Sequence, residues 1–217
     1  AVNFPSVSAD VMAVIRPYLN LAEKLGTFQV QLLTGALQEV TIEYSGELID
    51  HNVAPITVSL IKGLLDPILT ETVNYINAPV IARERGIKII ESKSTETKDY
   101  TNMIALTVKT SKEVSQTAGA VFGKNDHRIV RVNAFSVEIV PEGYMLAISN
   151  EDLPGVIGNL GTTLGANKVN IARLHLSRDA RAKKALVVLN TDSPVGSDIL
   201  DKLRKLPHVI SVVPIKM

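Results

Sequence analysis

The sequence contains no cysteine. That excludes a disulfide framework, a cysteine metal site and a thiol nucleophile. Neither sign of charge dominates: the formal net charge is +1, which gives no bulk attraction to nucleic acid or to an anionic membrane. No apolar run reaches the roughly 18 residues of a membrane span. Nothing at the front reads as a signal peptide, so the expected location is the cytoplasm. The first residue is Ala1 rather than Met, and the opening reads like a cut from something longer. The chain has no GxGxxG behind a strand, no GxxxxGK[ST], no GxSxG and no HExxH. Its four histidines, His51, His127, His175 and His208, lack metal-ligand spacing. Neither a metal nor a cofactor is expected on this chain, and a binding or regulatory role fits the residues better than catalysis.

What is present is a globular chain of 217 residues, 46% hydrophobic, enough for one or two domains. Residues 8–25 have helical spacing, with Val11, Ile15, Leu19 and Ala22 on one face and Gly26 as the expected stop. Pro17 should kink or split this helix. The piece ahead of it, residues 1–7, reads as extended. Residues 38–44 alternate as a strand. Helices are expected at 52–69, starting at Pro55 and ended by Pro67, and at 70–86, interrupted at Pro79. A strand follows at 87–91, then a polar exposed turn or hairpin tip at 91–101. Three more strands are expected at 103–109, 115–122 and 128–140. The pattern is helices packed on a mainly antiparallel sheet, an α+β domain.

Pro141-Glu142-Gly143 punctuates the chain, and the expected divisions are 1–26, 27–141 and 142–217. The last stretch has a clear order: strand 144–149, helix 154–165, strand 168–177, strand 184–190, helix 194–206, strand 209–215. This is βαββαβ, the ferredoxin-like arrangement. Residues 150–170, NEDLPGVIGNLGTTLGANKVN, organise it. Pro154 suits a first helical position, and Gly155 allows close approach to the backbone. The amides that follow suit a carboxylate, while Asp152 suits an ammonium. Together they make an amino-acid seat; the plainer alternative is an ordinary capped helix. Gly155, Gly158, Gly161 and Gly165 form a stripe that costs roughly 1 kcal/mol each relative to Ala. A second subunit packing there would account for it. Ser193 is the expected cap of the second helix, with Pro194 at its first position.

A basic group lies upstream. Most of it reads as a solvated face balanced by acids, but Lys124 and Arg128, with Arg131 nearby, are candidate contacts for an anionic effector.

The residues EDLPGVIGNLGTTLGANKVNI resemble an ACT domain. The runs VNYINAPVIARERGIKIIES and AGAVFG…RIVRVNAFSVEIVPEGYML resemble the intervening domain of the long-form D-3-phosphoglycerate dehydrogenase family, and the AVNFP opening resembles that family's exit from its catalytic region. The resemblance implies a parent enzyme that uses NAD in L-serine biosynthesis, with its catalytic residues outside this chain, so that the chain alone should not turn over substrate. It implies residues 1–26 as the terminal helix of the parent's substrate-binding domain, 27–141 as the intervening domain and 142–217 as the ACT domain. It also implies an effector site for L-serine or a related amino acid between paired ACT domains. The matching positions are Asn150, Asp152, Leu153, Pro154, Gly155, Val156, Asn170 and Ile171, with Asn170 reaching across to the partner. A homodimer through ACT domains follows, with a tetramer through the intervening domains as an open alternative. Two other readings stand beside it: the β-part of an iron–sulfur L-serine dehydratase, against which the missing thiolates count, and a stand-alone ACT sensor.

Overall fold

A computed structural model describes residues 8–96, 100–179 and 181–217. The chain forms two compact units, Ala1–Asn133 and Ala134–Met217. The first opens with α1 (Ala9–Leu32), whose N-cap Ser8 accepts the Val11 amide at 3.4 Å. The helix neither breaks at Pro17 nor stops at Gly26, so the division expected at residue 26 falls inside it. Pro17 frees the carbonyl of Ala13, but Ala13 is exposed, where water can take that carbonyl. Gly26 is not a terminus because it is a crossing point. There α1 meets α2 (Ala54–Leu65). A Cβ on Gly26 would lie 2.5 Å from the Leu60 carbonyl oxygen, and one on Gly63 would lie 2.0 Å from that of Glu23. The two helix backbones touch, and only glycine permits it.

As expected, Pro55 stands in the first turn of α2, and a 3-10 turn, Asp66–Ile68, follows its end around Pro67. The helix expected at 70–86 is reduced to α3 (Ala78–Glu84). Ahead of it, the Asn74 Oδ1 accepts the amides of Ile76 and Asn77, both at 2.9 Å, and Asn77 Oδ1 accepts the Asn74 amide at 2.7 Å. These side-chain bonds compete with the helix for the backbone and hold a turn instead.

The strands of this unit are β1 (Leu37–Gly46), β2 (Lys88–Ser94), β3 (Asn102–Thr110), β4 (Val114–Phe122) and β5 (Asp126–Val132), in the order β2-β1-β3-β4-β5. β1 and β2 are parallel; the other pairs are antiparallel. Val40, Ile42 and Tyr44 alternate along β1 opposite Val108, Leu106 and Ile104 of β3, all fully buried. α1 lies on β4, where a Cβ on Gly119 would come within 2.8 Å of Leu21. Residues 91–101 are not a hairpin tip: β2 runs on to Ser94, and β2 and β3 flank β1 rather than each other. Residues 97–99 of that segment, and the extended piece expected at 1–7, lie outside the described residues. The strand expected at 128–140 is cut at Asn133. Its φ is 49°, and its Oδ1 accepts Ser115 Oγ at 3.0 Å and the Gln116 amide at 2.8 Å. β5 ends before it and β6 (Phe135–Ile139) begins after it.

The second unit continues from β6 through β7 (Tyr144–Glu151), α4 (Val156–Ala166), β8 (Ile171–Asp179), β9 (Lys184–Thr191), α5 (Ser197–Arg204) and β10 (Val209–Lys216). The boundary expected after residue 141 falls between β6 and β7. From β7 onward the order is the ferredoxin-like βαββαβ, with an antiparallel sheet in the order β10-β7-β9-β8. Leu146 and Ile148 of β7, Val187 and Leu189 of β9, and Val212 pack against Val156, Leu160 and Leu164 of α4 and Leu200 and Leu203 of α5. Burying an aliphatic side chain of this kind is worth about 1.5–3 kcal/mol, so this one layer anchors both helices. α5 starts later than expected: Gly196 is its N-cap, and Pro194 lies in the turn ahead.

Candidate functional site

β7 is a central strand, and its last residues are therefore carried to a fixed place at one end of the sheet. There the chain turns into α4. Pro154 is not the first helical residue. It stands in the turn, and Gly155, at φ 89°, is the N-cap. A residue with a side chain would be strained at that φ. Because Gly155 has no side chain, none caps the helix. The first amides of α4 therefore remain available, with the positive end of the helix dipole behind them. The loop is pinned from the side: the Asp152 amide donates to the Lys183 carbonyl and the Leu153 amide to that of Glu151, both at 2.9 Å.

Around this turn lies a cavity of about 340 Å³, at the small end of the range for small-molecule pockets. Asn150, Asp152, Leu153, Pro154, Gly155 and Val156, all six of the expected effector residues in this loop, line it. Asn150 is the informative one. It is 2% exposed. Its Nδ2 donates to the Glu151 carbonyl at 2.7 Å, and its Oδ1 is buried with no hydrogen-bond partner. An unmet acceptor of this kind costs about 1–3 kcal/mol, which a donor brought by a ligand would recover. Asp152 is half-buried and its carboxylate is held by Arg178, whose Nε donates to Oδ1 at 2.9 Å and Oδ2 at 2.8 Å.

The other two expected residues are elsewhere. Asn170 and Ile171 stand at the start of β8, whose far end carries Arg178. Asn170 is exposed and donates to Asp192 Oδ2 at 2.6 Å. Within one chain these two residues are not brought to the pocket.

Ile157, Leu176, Arg178 and Ala185 also line the cavity and were not among the expected residues. Arg178 and Ala185 are paired across β8 and β9. The sequence gives no local signal for this, because Arg178 lies 26 residues from Asp152.

The candidate anion contacts are on and beside β5. Lys124 is exposed in the turn between β4 and β5. Arg128 makes an ion pair with Asp126 and lies 5.9 Å from the centre of the Phe122 ring. Arg131 is opposite Ala118, and its Nε is buried without a hydrogen-bond partner. Among the described residues no cluster of three or more His, Cys, Asp or Glu side chains could hold a metal ion, and no helix is long and apolar enough to cross a membrane.

Comparison with known families agrees with this architecture. Residues 14–133 match the D-3-phosphoglycerate dehydrogenase intervening domain, and residues 144–208 match the ACT domain. The chain is thus an intervening domain joined to an ACT domain. It belongs to the D-3-phosphoglycerate dehydrogenase family. It is 36% identical over 218 residues to D-3-phosphoglycerate dehydrogenase of Synechocystis sp., covering 100% of this chain and 39% of that protein. It is 34% identical to the enzyme of that name from Methanocaldococcus jannaschii, covering 100% and 41%, and 32% identical to that of Bacillus subtilis, covering 98% and 40%. The chain therefore spans about two fifths of the length of these curated relatives.

Proposed function

We propose that this chain is the regulatory C-terminal part of an NAD-dependent D-3-phosphoglycerate dehydrogenase of L-serine biosynthesis. Its ACT domain senses L-serine, the end product, for feedback inhibition, and NAD and substrate belong to the rest of the enzyme. The observation that carries this reading is the buried, unpartnered Oδ1 of Asn150 in a pocket that also holds the uncapped amides of α4 and the carboxylate of Asp152. An amino acid's carboxylate is met by the amides, and its ammonium is met by Asp152 and Asn150.

The site is completed by a second copy. β8 is an edge strand, and Leu174 and Leu176 on it are 46% and 40% exposed. β6 lies close to β8, with the Glu138 amide donating to His175 Nε2 at 3.3 Å, yet among the described residues no strand is paired on the outer edge of β8, and an unpaired edge invites a second strand. Antiparallel pairing of β8 with its own copy sets the start of one strand beside the end of the other. Asn170 of the partner subunit would then stand next to Arg178 and the pocket. Serine bound across this seam favours the locked pair, and a differential affinity worth about 1–3 kcal/mol is enough to shift a distant equilibrium. An anionic effector in the intervening domain is a second seat, supported by the unmet buried nitrogen of Arg131. The cytoplasm is the compartment that suits such an enzyme.

Calorimetric titration tests the reading. L-serine should bind saturably near one ligand per chain, selectively over D-serine. Asp152→Ala should weaken it at least about ten-fold, the worth of a hydrogen bond to a charged group, with the circular dichroism unchanged. Normal serine binding by Asp152→Ala would show the site to be misassigned.

A further inference from the structure

The cation on Asp152 has a consequence for how the pocket is entered. The carboxylate is the inner partner: its side chain is 20% exposed, and its loop is tied to the Lys183 carbonyl through its own amide. The guanidinium is the outer partner. Arg178 is the penultimate residue of an edge strand, opposite Ala185, its side chain is 65% exposed, and both residues line the pocket. Its Nε spans both carboxylate oxygens, at 2.9 and 2.8 Å. A cation therefore already occupies the group that an effector's ammonium needs, and it arrives from the solvent side.

We infer that Arg178 is a latch on the effector pocket, an internal competitor that an incoming ammonium must displace from Asp152. This rests on the amino-acid reading of the pocket. In the empty pocket Arg178 neutralises Asp152, so the half-buried carboxylate is not left without a counter-charge. The ligand exchanges one cation for another, and the guanidinium, mostly exposed in the single chain, swings from Asp152 toward the seam where Asn170 of the partner subunit is proposed to stand. Meanwhile Asn150 Oδ1, which has no internal partner to lose, gives the ligand a hydrogen bond without competition. The latch lowers affinity without altering the contacts that the ligand makes. It also selects against neutral ligands: a molecule without an ammonium cannot replace what it displaces.

Two readouts test this. L-serine is titrated into the wild-type chain and into Arg178→Met, which keeps the stem and removes the charge. Tightening of about two- to five-fold in Arg178→Met is expected, the range in which partly exposed ion pairs fall. A merely structural arginine would instead loosen the loop and weaken binding, and an arginine that grips the ligand would do the same; equal or weaker affinity overturns the latch. In parallel, the Arg178 Nε–H cross-peak, assigned by its absence in Arg178→Met, is followed by NMR. It should be protected in the free chain and exchange rapidly with water at serine saturation; persistence at saturation overturns the proposal. Silence in both variants sinks the amino-acid reading itself and the latch with it, whereas serine binding that ignores Arg178 sinks the latch alone.

Discussion

Glycine stands along helices in both units, for opposite reasons. In the first unit Gly26 and Gly63 mark where α1 and α2 touch, and an added Cβ would strike backbone at 2.5 and 2.0 Å. In the second, Gly158, Gly161 and Gly165 of α4 meet nothing within 4 Å. A helical glycine therefore carries one of two messages: a close contact already made inside the chain, or a face left bare. The first unit completes its own crossing. The start of α4 and the end of β8 share the pocket, through Ile157, Leu176 and Arg178, and the bare face of α4 is where a second copy is proposed to sit.

Gly63→Ala should have the largest effect. Its Cβ meets a carbonyl that cannot step aside, so the loss should reach the top of the roughly 1–3 kcal/mol typical of overpacking, or exceed it. Urea denaturation followed through α1 amide signals would measure it; a neutral result would mean that the helices are not in contact. Acid should weaken the first unit to a smaller degree. His127 Nε2 donates to the Pro17 carbonyl at 3.0 Å. Burial, then the neighbouring Lys24 charge, holds its imidazole below the ordinary value of 6.5. The unfolded chain thus takes up the proton at higher pH than the folded one. Stability is full above about 6.5 and falls as pH drops through the window beneath it. The urea midpoint should decline as the pH falls below about 6.5, and His127→Gln should flatten that decline. Gly161→Ala should act least and in the opposite direction. On a bare helix face it should add about 0.5–1 kcal/mol to the monomer's stability.

Much of the second unit was legible from sequence. Its central strands β7 and β9 are near-continuous buried runs, its helices carry clear apolar faces, and local pattern coincides with tertiary packing there, so βαββαβ could be read directly. The turn at 150–156 was legible because Pro154 and Gly155 mark a tight helix entry, and Gly155 is the N-cap at φ 89°; the same residues also suit an ordinary capped helix, so the amino-acid seat is part of the proposal. Where reading failed, a side chain had found the backbone or a distant partner. Gly26 looks like a helix stop unless the groove around Gly63 is known. Asn74 and Asn77 divert a helical pattern into a turn, and Asn133 divides an otherwise continuous strand. Arg178 could not be tied to Asp152, since only the β8–β9 register brings them together.

In the proposed mechanism, serine sensing needs two copies joined at β8 and the bare face of α4. Sedimentation equilibrium of the wild-type chain and of Gly161→Ala, with and without L-serine, tests it most directly. L-serine should shift the wild type toward dimer, and Gly161→Ala should remain more monomeric while folding at least as stably. Saturable serine binding by a chain that stays monomeric would contradict it.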